Sequence, residues 1–396
     1  MPVADEVLIA GGGIAAARTA QALRLFGFTG PVTIFSEESL LPYNRPPLSK
    51  EYLVERRDGR PEPILTGEEL DELGIAIELE RRATGVNTTA RWLVLDEQET
   101  VPYDALVLAT GATPHRLPVL RDCGQCYSLR SFDDARAISA RLEPGSHIVI
   151  VGAGFIGLEA AAAARMNGCE VTVVEMRAVP FGDVAGPWLG GELQRWHERH
   201  GVRFVCGASV ASAAPRDSGC RLTLSDGATV EADVVIEGVG VRPAVDWLRQ
   251  TPELEIDTGV VCDAHGQTSV PWIYAVGDVA QRMDGDRRLG TGHWTGASEQ
   301  AMCAAATMLG RFSERREPDK TYFWSEQYGS RIQCVGCFPA HGDVRVDSGS
   351  LDEWSFLATC RVDGRAVGAF AVDLPGPFVQ ARAALRGSID GRGNDT

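Results

Sequence analysis

Two glycine patterns are the most chemically suggestive stretches of the chain: Gly11-x-Gly13-x-x-Ala16 and Gly152-x-Gly154-x-x-Gly157. Glycines at this spacing let a strand turn sharply into a helix. They also let an anion approach the helix N-terminus, where unpaired N–H groups and the helix dipole attract phosphate. Glu37 and Glu175 each stand a little over ~20 residues beyond the first glycine of the pattern, where a carboxylate can accept hydrogen bonds from a ribose. One such pattern arises in ordinary turns, whereas two, each with its acid, predict two dinucleotide sites. Two other features carry chemistry. Lys50, in LPYNRPPLSKEYL (41–53), is one of only two lysines, with Lys320, and follows a proline-stiffened loop. Cys123-x-x-Cys126, near the second pattern, has the spacing of a redox dithiol.

The elements that must position these residues repeat. EVLIAGGGIAAARTAQALRLFG (6–27) and HIVIVGAGFIGLEAAAAARMNG (147–168) share an apolar strand, a glycine turn and an Ala-rich helix, and each leads into a strand ending in an acid, PVTIFSEE (31–38) and CEVTVVEM (169–176). This is a βαβ unit twice over. YDALVLATGATPHRLP (103–118) predicts a strand and a turn at Ala109-Thr110-Gly111, and WIYAVGDVA (272–280) a strand ending at Gly277-Asp278. Alternating apolar residues in RVDGRAVGAFAVD (361–373) predict an antiparallel sheet, followed by a helix at PFVQARAALRG (377–387). No convincing triad or metal cluster is present: in RIQCVGCF, Cys334 and Cys337 point to opposite faces of a strand.

With 396 residues, 44% hydrophobic and 23% charged, the chain has the composition of a globular α/β enzyme. A net charge of −16 argues against nucleic acid or an anionic membrane as a general partner. Neither a signal-peptide pattern nor a membrane-length apolar run is present, so the cytoplasm is expected, with the ten cysteines mostly reduced.

The order of motifs resembles the two-dinucleotide flavoprotein reductases of the glutathione-reductase superfamily: first glycine unit, ATG segment, inserted second glycine unit, then GD segment. PYNRPPLSK (42–50), FWSEQYGSRIQCVG (323–336), IGLE (156–159), GVGVRP (238–243) and LRSFDDA (129–135) are similar to the ferredoxin, putidaredoxin and rubredoxin reductases that serve oxygenases. The resemblance implies two Rossmann-like domains and a C-terminal α+β interface domain: a discontinuous FAD domain at 1–112 and 243–316, an NAD(H) domain at 113–242, and the interface domain at 317–396. It implies an FAD-dependent NADH:ferredoxin reductase that passes electrons to a [2Fe–2S] ferredoxin or rubredoxin for a cytochrome P450 or ring-hydroxylating dioxygenase, as a monomer or weak homodimer. Carried over by residue, it assigns FAD contacts to Gly11, Gly13, Ala15, Ala16, Glu37, Arg45, Lys50, Ala109, Thr110, Gly111, Arg130, Gly277, Asp278, Trp294 and Thr295. It assigns nicotinamide-nucleotide contacts to Gly152, Gly154, Ile156, Gly157, Glu175 and Gly240, and places Trp324 near both reacting rings.

Glu159 is expected close to Lys50, holding the ammonium charged. That ammonium would stabilise the negative charge arriving on the flavin. Glu175 favours NADH by repelling a 2′-phosphate, although Arg177 could bind one. An acidic ferredoxin would dock on arginines of 56–60 or 311–316. Two alternatives remain: a dithiol reductase using Cys123 and Cys126, and a redox-sensing flavoprotein resembling apoptosis-inducing factor.

Overall fold

The computed structural model describes residues 4–55, 59–96, 98–285, 287–288, 294–311 and 322–389. The chain divides into two compact units. The first comprises Met1–Asn44, Arg60–Thr113 and Val241–Pro318. Its centre is a five-stranded parallel sheet in the order Ile273–Ala275, Ala105–Leu108, Val7–Ala10, Val32–Phe35, Ile75–Glu78. Every residue of Val7–Ala10 and Ala105–Leu108 is buried, as expected for parallel strands covered on both faces. On one face, Ala16, Ala17 and Ala20 of the helix Ile14–Leu25 share a core with Ala297, Ala304 and Ala305 of the helix Trp294–Met308. Leu8, Ala10, Leu106 and Leu108 fill the other face with Leu93 and Leu95, which lie on Trp92–Leu95 of a three-stranded antiparallel sheet.

The second unit comprises Arg45–Gly59, Pro114–Gly240 and Asp319–Thr396. It repeats the plan with a parallel sheet in the order Val202–Cys206, Glu170–Glu175, His147–Val151, Val234–Glu237, Cys126–Ser128. The helix Phe155–Met166 that follows its glycine turn buries Gly157, Leu158, Glu159 and the alanines 160–164. The predicted C-terminal sheet is present, antiparallel, in the order Phe323–Gln327, Ser330–Gly336, Arg365–Val372, Ser355–Val362, Asp343–Ser350. The helix Pro375–Ile389 packs Phe378 and Leu385 against Val335, Leu357, Ala369 and Ala371.

The partition differs from the sequence-based one in two places. Residues 45–59, expected with the first glycine unit, belong to the second compact unit. Specific bonds hold them there: Lys50 and Ser49 reach Glu159, Tyr52 packs edge-on to Phe132, and Asn167 Nδ2 donates to the Leu53 carbonyl at 2.8 Å. Residues from 319 onward, expected as a separate domain, also fall within this unit, where Ser325 bonds Glu159 and Gln327 bonds His197.

Candidate functional site

Both glycine turns have the local geometry that the sequence pattern demands. Gly11 has φ +124°, and a Cβ there would stand 2.2 Å from the Ala109 carbonyl oxygen. Only glycine therefore lets the first turn lie against the Ala109-Thr110-Gly111 segment. Gly13, the N-cap of Ile14–Leu25, offers no capping side chain, and a Cβ on it would meet nothing within 4 Å. Gly277 (φ +75°) closes the same corner, where a Cβ on it would stand 2.9 Å from the Ala15 Cβ, with half-buried Asp278 beside it. Thr110 Oγ1 donates to the Ala244 carbonyl at 3.1 Å. Glu37 is exposed at 69% and, among the described residues, pairs at 3.6 Å with exposed Arg82, leaving its oxygens accessible to a ribose. An uncapped helix end beside open space, with an accessible carboxylate near it, suits the phosphates and ribose of a dinucleotide.

The second turn has the same form, with two glycines set against backbone. A Cβ on Gly152 (φ +99°) would lie 2.5 Å from the Gly238 oxygen, and one on Gly157 would lie 2.1 Å from the Gly152 oxygen. Gly154, the N-cap of Phe155–Met166, is again uncapped and faces open space. Ile156 is half-buried in the first turn of that helix, and Gly240 (φ +93°) is exposed, its carbonyl accepting from His115 N at 2.9 Å. Glu175 differs from Glu37: it is buried, accepts from Ala153 N at 2.7 Å and Arg177 N at 2.9 Å, and so braces the glycine turn itself.

Lys50 and Glu159 meet. Lys50 Nζ lies 2.8 Å from Glu159 Oε2, and the two side chains are only 11% and 5% exposed. Three prolines precede the lysine in the sequence. Pro46 and Pro47 open a 3₁₀ turn, Pro46–Ser49, whose first carbonyl accepts a second bond from Nζ at 3.1 Å. Ser49 Oγ donates to Glu159 Oε2, and Ser325 Oγ donates to Oε1 at 2.6 Å. A carboxylate this deeply buried is tolerable only when its oxygens are filled in this way. The sequence pointed to Trp324, but Ser325 and Gln327, on the opposite face of Phe323–Gln327, carry the buried polar contacts. Trp324 is half-buried and stacks near Tyr322, with ring centroids 6.1 Å apart.

Arg130 precedes the N-cap Ser131; its N–H donates to Asp134 at 3.0 Å and its carbonyl accepts from Arg45 Nη1 at 2.6 Å. Trp294 and Thr295 open the helix Trp294–Met308. Of the arginines expected to meet a ferredoxin, Arg60 and Arg311 are exposed, and Arg56, Arg57 and residues 312–316 lie outside the described residues.

The dithiol reading fails on geometry. Cys123 is bonded to Cys220, 97 residues away with Cα atoms 6.0 Å apart, and not to Cys126; the other eight cysteines are free thiols. Burial, then the neighbouring Glu237 carboxylate, pushes the Cys126 thiol up to about 12, far from the thiolate that exchange requires.

Three outcomes follow from these contacts. Gly157→Ala forces a methyl group onto the Gly152 carbonyl at a cost of about 1–3 kcal/mol; it should lower the melting temperature and weaken nicotinamide-nucleotide binding in a fluorescence titration. Cys126→Ser should leave steady-state turnover within about twofold of the parent, because the thiol is not a nucleophile here. His197 is fully buried, and desolvation lowers its pKa to about 3. The unfolded imidazole titrates near 6.5. Between these values the unfolded chain holds the extra proton, so stability should fall as pH drops through this window. Urea unfolding of His197→Gln should show a shallower loss.

Residues 5–301 match the family described as pyridine nucleotide-disulphide oxidoreductase, and residues 322–390 match the reductase C-terminal family. The chain is 35% identical over 391 residues to the ferredoxin–NAD(+) reductase component of the p-cumate 2,3-dioxygenase system of Pseudomonas putida, covering 98% of this chain and 95% of that one. It is 34% identical over 388 residues to rhodocoxin reductase of Rhodococcus erythropolis, covering 96% and 89%. Among solved structures, the covalent putidaredoxin reductase–putidaredoxin complex superposes with a TM-score of 0.88 at 29% identity, covering 96% of this chain and 93% of that one. With two glycine turns on two parallel sheets and the terminal antiparallel sheet so matched, the chain belongs to the pyridine nucleotide-disulphide oxidoreductase family, among the reductases that carry the reductase C-terminal domain.

Proposed function

We propose that the protein is an FAD-dependent NADH:ferredoxin reductase, working in the cytoplasm and delivering electrons to a [2Fe–2S] ferredoxin or rubredoxin that serves an oxygenase. The observation that carries this reading is the buried pair of Lys50 with Glu159, the latter on the helix that begins at the second glycine turn. A positive charge fixed this firmly suits a reaction in which negative charge arrives on a ring, and no side-chain nucleophile or proton donor is needed for hydride transfer. FAD, when bound, takes a two-electron hydride and releases electrons singly to an iron–sulfur acceptor.

Gly11, Gly13, Ala15, Ala16, Glu37, Ala109, Thr110, Gly111, Gly277 and Asp278 would hold the flavin nucleotide. Gly152, Gly154, Ile156, Gly157, Glu175 and Gly240 would hold NADH. Lys50 would offer its ammonium to the flavin ring, Glu159 would keep that ammonium in place, and Trp324, Arg45 and Arg130 would complete the surroundings. The preference for NADH rests on Glu175, and the p-cumate relative is named as a ferredoxin–NAD(+) reductase component. Arg177 stands beside that acid, its guanidinium 3.8 Å from the Glu175 carboxylate.

Lys50→Ala should slow flavin bleaching by NADH in stopped-flow by about a hundredfold, the usual loss for one charge-stabilising donor, while the NADH Kd moves far less. Equal rates would remove Lys50 from the chemistry. Glu175→Ala should lower the ratio of kcat/KM for NADH to that for NADPH, and an unchanged ratio would place the selectivity elsewhere.

A further inference from the structure

The side chains that touch Glu159 continue deeper into the second unit. Ser325 Oγ lies 2.6 Å from Glu159 Oε1, Gln327 Nε2 lies 3.0 Å from Ser325 Oγ, His197 Nε2 lies 2.7 Å from Gln327 Oε1, and the Tyr328 hydroxyl lies 2.9 Å from His197 Nδ1. Ser325, Gln327 and His197 are all buried. The carboxylate at one end decides the direction of the whole row, because it can only accept. Ser325 must give its single proton to Glu159 and therefore accepts from Gln327. The amide nitrogen of Gln327 thus faces Ser325, and its oxygen faces His197. That oxygen also only accepts, so His197 carries its proton on Nε2 and leaves Nδ1 to accept from Tyr328. Four donors point one way, from Tyr328 to Glu159.

We propose that this one-way row positions the Lys50–Glu159 pair: Gln327 and His197 are positioning residues that act through Ser325 to fix the carboxylate and, through it, the ammonium. The inference rests on the reading of Lys50 as the charge that serves the flavin. It joins side chains from three sequence-distant elements, the helices Phe155–Met166 and Gly182–Arg199 and the strand Phe323–Gln327, to the turn Pro46–Ser49.

Two observations support a positioning role. Tyr328 has φ 52° and Gly329 φ 81°, forming a two-residue hairpin turn between Phe323–Gln327 and Ser330–Gly336. Such a turn normally takes Asn or Gly at its first position, so a tyrosine is held in a costly conformation. What holds it is its ring, stacked on His200 at 3.8 Å and met edge-on by Trp196, with its hydroxyl on His197. Second, burial keeps His197 neutral, so no extra imidazole proton turns the row around. A side-chain amide within the row also blocks proton hopping, since its nitrogen only donates and its oxygen only accepts. The row therefore orients the pair and does not conduct protons.

The test uses the FAD-loaded enzyme and four variants: Gln327→Leu, His197→Phe, His197→Gln and Lys50→Met. Gln327→Leu and His197→Phe should each slow flavin reduction by NADH about tenfold, with little change in NADH Kd, and should shift the flavin midpoint potential in the same direction as Lys50→Met. His197→Gln, whose amide can donate to Gln327 and accept from Tyr328, should recover most of both. In the parent enzyme, ¹⁵N NMR should show His197 as the neutral Nε2–H tautomer from pH 5 to 8. An Nδ1–H tautomer, or a parent-like rate and potential in Gln327→Leu when Lys50→Met changes both, would overturn the inference alone. A parent-like potential in Lys50→Met would overturn the reading of Lys50 and the inference with it. Should Gln327→Leu not fold, Ser325→Ala cuts the same row by one hydroxyl and gives the same readouts.

Discussion

A carboxylate placed where water scarcely reaches sets much of the second unit's design. Glu159 needs a cation and hydrogen-bond donors, because a buried ion left unpaired costs about 3–5 kcal/mol. The chain meets that need from far apart: Lys50 and Ser49 from a proline-stiffened turn and Ser325 from the C-terminal sheet. Residues 45–59 consequently fold with the second unit, although the sequence places them after the first glycine unit. The inward face of Phe323–Gln327 likewise carries Ser325 and Gln327 where an ordinary strand would place aliphatic side chains.

The two dinucleotide cradles show how the same backbone device can use its acid differently. Glu37 is exposed and keeps its oxygens accessible, whereas Glu175 is buried and accepts from the backbone N–H groups of Ala153 and Arg177. In the second cradle Gly152, Gly157 and Gly238 also pack backbone to backbone. A ribose arriving there would have to share Glu175 with those N–H groups.

Local backbone requirements were the most legible part of the sequence. Gly11, Gly152 and Gly157 announce themselves because no other residue fits, and both βαβ units and the terminal sheet follow from strong periodicity. Lys50 stood out by its rarity, and its pairing with Glu159 came from the family resemblance. Side chains that act over long sequence distances were not legible. Ser49, Ser325, Gln327 and His197 are ordinary residue types, and in FWSEQ the alternation assigns Trp324, as readily as Ser325, to the important face. The Cys123–Cys220 bond was hidden for the same reason: a nearby Cys126 offered a local partner, and the actual one lies 97 residues away.

In the proposed reaction Lys50 and Glu159 act as one unit when the flavin is reduced. A double-mutant cycle with Lys50→Met and Glu159→Gln, read by the stopped-flow rate of flavin reduction by NADH, tests it most directly. If the two act together, the double variant is no slower than the slower single variant, giving a large coupling. Rate losses that simply multiply would show the two residues acting independently, with no joint role in reducing the flavin.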